Sequence, residues 1–144
     1  MACTFFNTRK SSRILSRLYD RAFTRAGIKG TQFSLLATVC YYNGQTITSI
    51  AHQAIIDRTT LSRNLAVLEK QGLIIVRDSE DPGNQKKVEI THAGEAVLEK
   101  SLEVWQEIHE TIQDRMGPQN WRQLIRLLLT LQREFEHSDD MQPW

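Results

Sequence analysis

Between Thr46 and Thr91 the hydrophobic pattern switches from a helical period to an alternating one, and that switch limits the available folds more than any other feature. Ile47, Ile50 and Ala51 mark a short helix, Ile55 and Ile56 a tight turn, and Asp57 is placed to cap a second helix. That second helix carries Leu61, Leu65 and Leu68 inward and ends at Gly72. Leu73-Ile74-Ile75-Val76 is then a run of β-formers, followed by a polar tip from Asp78 to Asn84. Lys87-Val88-Glu89-Ile90 alternates at period two, which predicts a hairpin with a long loop. Two helices meeting at a tight turn, the first carrying a small Ala51 that allows close approach, and a hairpin directly after them spell a winged helix-turn-helix.

The flanks are helical. Residues 8 to 26 hold Leu15, Leu18, Tyr19, Ala22 and Phe23 at three-and-four spacing, and Gly27 and Gly30 punctuate the end. Thr31 opens a helix through Phe33, Leu35, Leu36, Val39 and Cys40, stopped by Asn43-Gly44. After the hairpin a helix begins near His92, breaks at Gly117-Pro118, and resumes from Asn120 to Glu136. In that last helix Trp121, Leu124, Ile125, Leu127, Leu128, Leu129, Leu131 and Phe135 cover more than one face, which predicts a homodimer. The expected architecture is mainly α with a small β-hairpin wing. Residues 1–144 form a single domain, with 1–30 and 92–144 as a helical dimerisation region and 31–91 as the winged helix-turn-helix.

No apolar run is long enough to span a bilayer and the N-terminus lacks a secretory pattern, so a cytoplasmic protein is expected, with no membrane partner. Cys3 and Cys40 lack the number and spacing of a disulfide framework, and Cys40 is expected in the core. His52, His92, His109 and His137 share no ligand spacing, so neither a metal nor another cofactor is expected. No glycine-rich phosphate loop, nucleophile elbow or convergent acid and base pair is present, which argues against an enzyme.

The net charge of +1 conceals a gradient. Arg9, Lys10, Arg13, Arg17, Arg21, Arg25 and Lys29 face only Asp20 in the first 30 residues, whereas residues 92–144 hold five basic and ten acidic side chains. Arg9, Arg13, Arg17, Arg21 and Arg25 form a ribbon around the first helix. The ribbon can extend a DNA-facing surface or pair across a dimer with Glu95, Glu99, Glu103, Glu107, Glu110 and Asp114, and pairing is the expected role.

The chemistry sits in the second helix of the motif. Such a helix reads the major groove, where each base pair presents a distinct donor and acceptor pattern, so its outward residues must be polar. Arg58, Thr59, Thr60, Ser62, Arg63 and Asn64 meet that need, interleaved with inward Leu61 and Leu65. Arg58 and Arg63 can read guanine edges or hold phosphates, Asn64 can pair with adenine, and the hydroxyls can bond phosphates. The alternative is an amphipathic helix with a merely solvated face.

Asp57 to Leu65, Leu68-Glu69, Gly72-Leu73-Ile74 and Thr91-His92-Ala93-Gly94 together resemble the MarR family of bacterial regulators, as do Ser16-Arg17-Leu18-Tyr19 and Thr31 to Leu36. The resemblance spans nearly the whole chain. It implies a homodimer with interlocked terminal helices, bound to a palindromic operator on double-stranded DNA as a repressor relieved by a small ligand or by oxidation. Arg77, Asn84, Lys86 and Lys87 of the wing, and Thr31 and Gln32 at the start of the second helix, join the candidate DNA contacts. Pro82 and Asn84 stand where the family carries an Asp-x-Arg, so the usual minor-groove arginine is missing and the wing is expected to add affinity more than specificity. Oxidation-sensing members place a cysteine near the start of the first helix beside tyrosines. Tyr19 matches one of these, but Phe5 holds the sensor position, leaving Cys3 as the candidate redox sensor. A small aromatic or anionic effector is implied between the dimer helices and the winged region, near Arg13, Arg17 and Phe33. A winged-helix protein-interaction module without specific DNA binding is the alternative function.

Overall fold

The computed structural model describes residues 3–79 and 85–135. The chain runs α1 (Thr4–Phe23), a single 3-10 turn (Thr24–Ala26), α2 (Gly30–Tyr41), α3 (Ile47–Gln53), α4 (Arg58–Lys70), β1 (Ile74–Asp78), β2 (Lys86–Ile90), α5 (His92–Met116) and α6 (Pro118–Phe135). This is a mainly α fold with one hairpin, as the periodicity predicts. Two compact units are formed, Met1–Gln106 and Glu107–Trp144. Among the described residues no helix is long and apolar enough to cross a membrane.

The core of the first unit is built from inward residues of every element in the motif. Phe23 stacks on Phe33 with ring centroids 4.5 Å apart, and Leu36, Val39, Ile50, Leu61, Leu65, Leu68, Ile74 and Val88 are buried with them. Helix α3 packs on α4, and α2 packs on α4 and β2. Short polar devices fix the joints. Thr46 caps α3 by accepting from the Ser49 amide at 3.2 Å, and Asp57 caps α4 by accepting from the Thr60 amide at 2.8 Å. Gly72 takes φ 73° to turn out of α4, a left-handed conformation that costs a glycine nothing.

β1 and β2 pair antiparallel from Ile74 opposite Ile90 to Asp78 opposite Lys86. The hairpin has a third edge that periodicity alone does not disclose. The Gly44 amide donates to the Val88 carbonyl, the Val88 amide to the Gln45 carbonyl, and Thr46 bridges to Lys87. The start of α3 is thereby tied to the wing.

Three expectations need correction. Cys40 is exposed, because the inward face of α2 is taken by Phe33, Leu35, Leu36 and Val39 and the next residue is turned outward. The apolar stripe of α1 is buried only at Phe23, while Ile14, Leu15 and Leu18 stay exposed. Phe33 is a core residue stacked on Phe23, which removes it from the effector candidates.

In the second unit, Gly117 turns the chain at φ 78° between the end of α5 and α6. His109 meets the Trp121 ring edge-on at 5.1 Å, and its Nε2 lies 2.8 Å from the Gln113 amide nitrogen. None of the residues of α6 is buried. An open groove of about 420 Å³ runs along it between apolar Trp121, Ile125 and Leu129 and basic Arg122, Arg126 and Arg133.

Candidate nucleic-acid interface

Helix α4 is an amphipathic rod whose two sides have separate duties. Leu61, Leu65 and Leu68 are almost completely buried, while Arg58, Thr59, Thr60, Ser62, Arg63 and Asn64 are all exposed over its first two turns. The sequence-predicted recognition residues therefore come together on one surface, next to the positive end of the helix dipole. The Thr60 backbone amide, with its hydroxyl, holds the Asp57 carboxyl below its ordinary value of 3.8, and the Arg63 charge adds to this. Asp57 thus stays ionised and capped at neutral pH, leaving Arg58 and Arg63 as the cations of the exposed face.

The turn before α4 is strained. Ile55 adopts φ 52° with its side chain exposed, a left-handed conformation that a β-branched residue resists. Its amide donates to the His52 carbonyl and the Ile56 amide to the Ala51 carbonyl, so the turn is tied back to the end of α3.

At the wing, Arg77 is exposed and its Nε lies 3.4 Å from Glu89 Oε2 on the neighbouring strand. Lys86 is exposed at the start of β2, and Lys87 is half-buried beside Thr46. Asn84, with Pro82, lies outside the described residues. Thr31 is exposed and Gln32 half-buried in the first turn of α2, where Gln32 accepts from the Lys29 amide at 2.9 Å and donates to Gln71 Oε1 at 3.0 Å. Gln32 is therefore engaged in joining α2 to the end of α4.

Sequence reasoning missed these connecting groups. Glu69 Oε1 accepts from the Val76 amide at 3.2 Å, and Asp20 Oδ1 accepts from the Gly30 amide at 2.8 Å. Asn43 Oδ1 accepts from the Ile90 amide at 3.0 Å. Asn43 stands in the sequence as a helix stop and Glu69 beside Leu68, but neither position discloses its distant partner.

Cys3 is the exposed N-cap residue of α1. Tyr19 lies 16 residues along the same helix, so about 24 Å separates the two within one chain at the helical rise. Burial raises the Tyr19 phenol above its ordinary value. Arg9 stacks over the Phe5 ring at 5.5 Å, while Arg13, Arg17 and Arg21 have no ion-pair partner among the described residues. Among the described residues no three His, Cys, Asp or Glu side chains gather as metal ligands.

A capped, outward-polar second helix beside a hairpin defines a winged helix-turn-helix protein. Residues 28–88 match the model of the MarR family. The crystal structure of the M. tuberculosis transcriptional regulator MosR in complex with DNA is 31% identical, covering 95% of this chain and 98% of that one with a TM-score of 0.84. Fold likeness extends to the S. aureus MepR–DNA complex, at 19% identity, 94% and 99% coverage and TM-score 0.81. It extends also to a SlyA-like transcription regulator from Listeria monocytogenes, at 20% identity, 96% and 92% coverage and TM-score 0.81. No curated protein sequence matches the chain. The chain belongs to the MarR family and is a DNA-binding transcriptional regulator, not an enzyme.

Proposed function

We propose that the protein is a homodimeric repressor that reads a palindromic operator with two copies of α4. Arg58, Thr59, Thr60, Ser62, Arg63 and Asn64 enter successive major grooves about one helical turn apart. Arg77, Lys86 and Lys87 hold flanking backbone, with Asn84 beside them at the wing, and Thr31 and Gln32 lie at the edge of the same surface. The observation that carries this reading is the exposed polar start of α4, capped by Asp57 and rooted in the core by Leu61 and Leu65.

Dimerisation is supported by exposed apolar side chains: Ile14, Leu15 and Leu18 on α1, and Leu124, Leu127 and Leu129 on α6. In this reading residues 1–30 and 92–144 form the dimerisation region, and residues 31–91 the DNA-binding region. Release follows binding of a small aromatic or anionic effector near Arg13 and Arg17, or oxidation of Cys3. The exposure of Cys3 at a helix start leaves its thiol accessible to an oxidant, which the second route requires.

Titration of a palindromic duplex from upstream of the protein's own coding sequence, combined with sedimentation, should give two chains per duplex. One chain per duplex, or equal affinity for every sequence, would exclude this reading. The same titration with hydrogen peroxide on wild type and Cys3→Ser separates the two release routes. Oxidant release of wild type alone assigns the signal to Cys3; no release in either assigns it to a ligand.

A further inference from the structure

The Thr91-His92-Ala93-Gly94 segment belongs neither to the exposed face of α4 nor to the wing, yet it occupies the one place where the end of the recognition helix meets the start of α5. The Thr91 hydroxyl donates to the Gly72 carbonyl at 2.7 Å and accepts from the Gly94 amide at 3.0 Å. The Thr91 amide donates to the Leu73 carbonyl at 3.1 Å, and the Thr91 carbonyl receives the Glu95 amide at 2.8 Å. Gly94 is buried so tightly that a Cβ there would run into the Leu73 carbonyl oxygen and lie 2.8 Å from Ile90 Cγ1. The first turn of α5 is therefore seated directly on the backbone that leaves α4, with no side chain between them.

From this geometry we infer that Thr91 is a positioning residue for DNA recognition: its hydroxyl fixes the angle between the recognition helix and α5, and thereby the separation of the two α4 copies across the dimer. One hydroxyl serves two backbones. As an acceptor it caps α5; as a donor it takes up the Gly72 carbonyl, in the turn that follows α4. Movement of α5 at this joint must carry Leu73 with it, because Gly94 leaves no slack. The inference rests on the homodimer and palindrome reading.

The two duties can be separated chemically. Thr91→Ser keeps donor and acceptor. Thr91→Asp keeps the cap to the Gly94 amide but, ionised, cannot donate to Gly72. Thr91→Val keeps the shape and loses both. The probe is a palindromic duplex selected by the wild-type protein from a random pool, compared with duplexes lengthened or shortened by one base pair between half-sites. Wild type and Thr91→Ser should prefer the selected spacing equally. Thr91→Asp should stay folded and dimeric, with a melting temperature lowered by no more than one lost hydrogen bond, yet lose about fivefold of that preference. A uniform loss from the added negative charge cancels in the ratio between spacings. Unchanged preference in Thr91→Asp overturns the inference, as does a Thr91→Ser variant as indiscriminate as Thr91→Val. Should Thr91→Val fail to fold, the Ser and Asp pair alone decides. Wild type indifferent to spacing would refute the palindrome reading first, and this inference with it; a spacing-selective wild type with an equally selective Thr91→Asp refutes the inference alone.

Discussion

Glu69, in the last turn of α4, accepts a hydrogen bond from the backbone amide of Val76 at 3.2 Å, so the recognition helix and the first wing strand are joined by a carboxylate and not by packing alone. The bond fills a backbone donor on a strand whose other edge is already paired with β2. Glu69→Ala should loosen the wing against α4 and weaken binding to a selected duplex by about fivefold, the worth of one hydrogen bond. Glu69→Gln retains an acceptor and should bind as wild type. Equal losses in both variants would place the effect in the charge and not the bond.

The strained turn before α4 makes a prediction of opposite sign. Ile55 holds φ 52° with an exposed side chain, so little packing offsets the left-handed backbone. Ile55→Asn, whose short polar side chain, unbranched at Cβ, tolerates that conformation, should raise stability to urea by about 1 kcal/mol. A decrease would mean that the Ile55 side chain makes a contact in the dimer that outweighs the strain.

Leu65 lies on the inner side of α4, 1% exposed, directly after Asn64 on the outer side. Leu65→Ala should cost about 3 kcal/mol through lost burial and the cavity left behind. Asn64→Ala should leave the melting temperature nearly unchanged and reduce sequence discrimination. If the two variants behaved alike in denaturation and in binding, the division of α4 into a core face and a reading face would be wrong.

Asp57 ties the start of α4 to pH. Its carboxyl is depressed below 3.8 in the folded chain, so the cap stabilises the protein fully above that value and is lost as pH falls below it. Asn at this position also caps but does not titrate. The melting temperatures of wild type and Asp57→Asn, followed from neutral pH downward, should therefore converge or cross below pH 3.8. A constant difference across that range would show that Asp57 is not ionised in the cap.

The parts of this fold that depend on local chemistry were legible in the residues. Asp57 as a cap, Leu61, Leu65 and Leu68 as an inward row, and Gly72 as a stop each declare themselves within a turn or two, and all three hold. Contacts between distant residues did not. Nothing near Gln45 and Thr46 signals that they pair with β2, because two residues are too few to set a period. Cys40 reads as internal because α2 is apolar around much of its circumference, and packing against α1, α4 and β2 decides which arc turns inward. The stripe on α1 is apolar as its spacing predicts, but among the described residues only Phe23 of it is buried, and no sequence pattern states which apolar residues a helix will cover. The polar types and spacing at the start of α4 predict an exposed face, and that face is exposed; the bonds from Glu69, Gln32 and Thr91 that tie this region to its neighbours are set by distant residues.

The most direct test of the account is the binding of wild type and Arg63→Ala to a selected palindromic duplex at two salt concentrations. Arg63 is exposed on the reading face of α4 and contributes nothing to the core, so the variant should stay folded and dimeric. Wild-type affinity should fall steeply with salt, and Arg63→Ala should either relax discrimination at one base position by about 1–3 kcal/mol or reduce the salt slope by about one phosphate contact. Affinity, discrimination and salt slope all unchanged in Arg63→Ala would contradict the assignment of α4 as the helix that reads DNA.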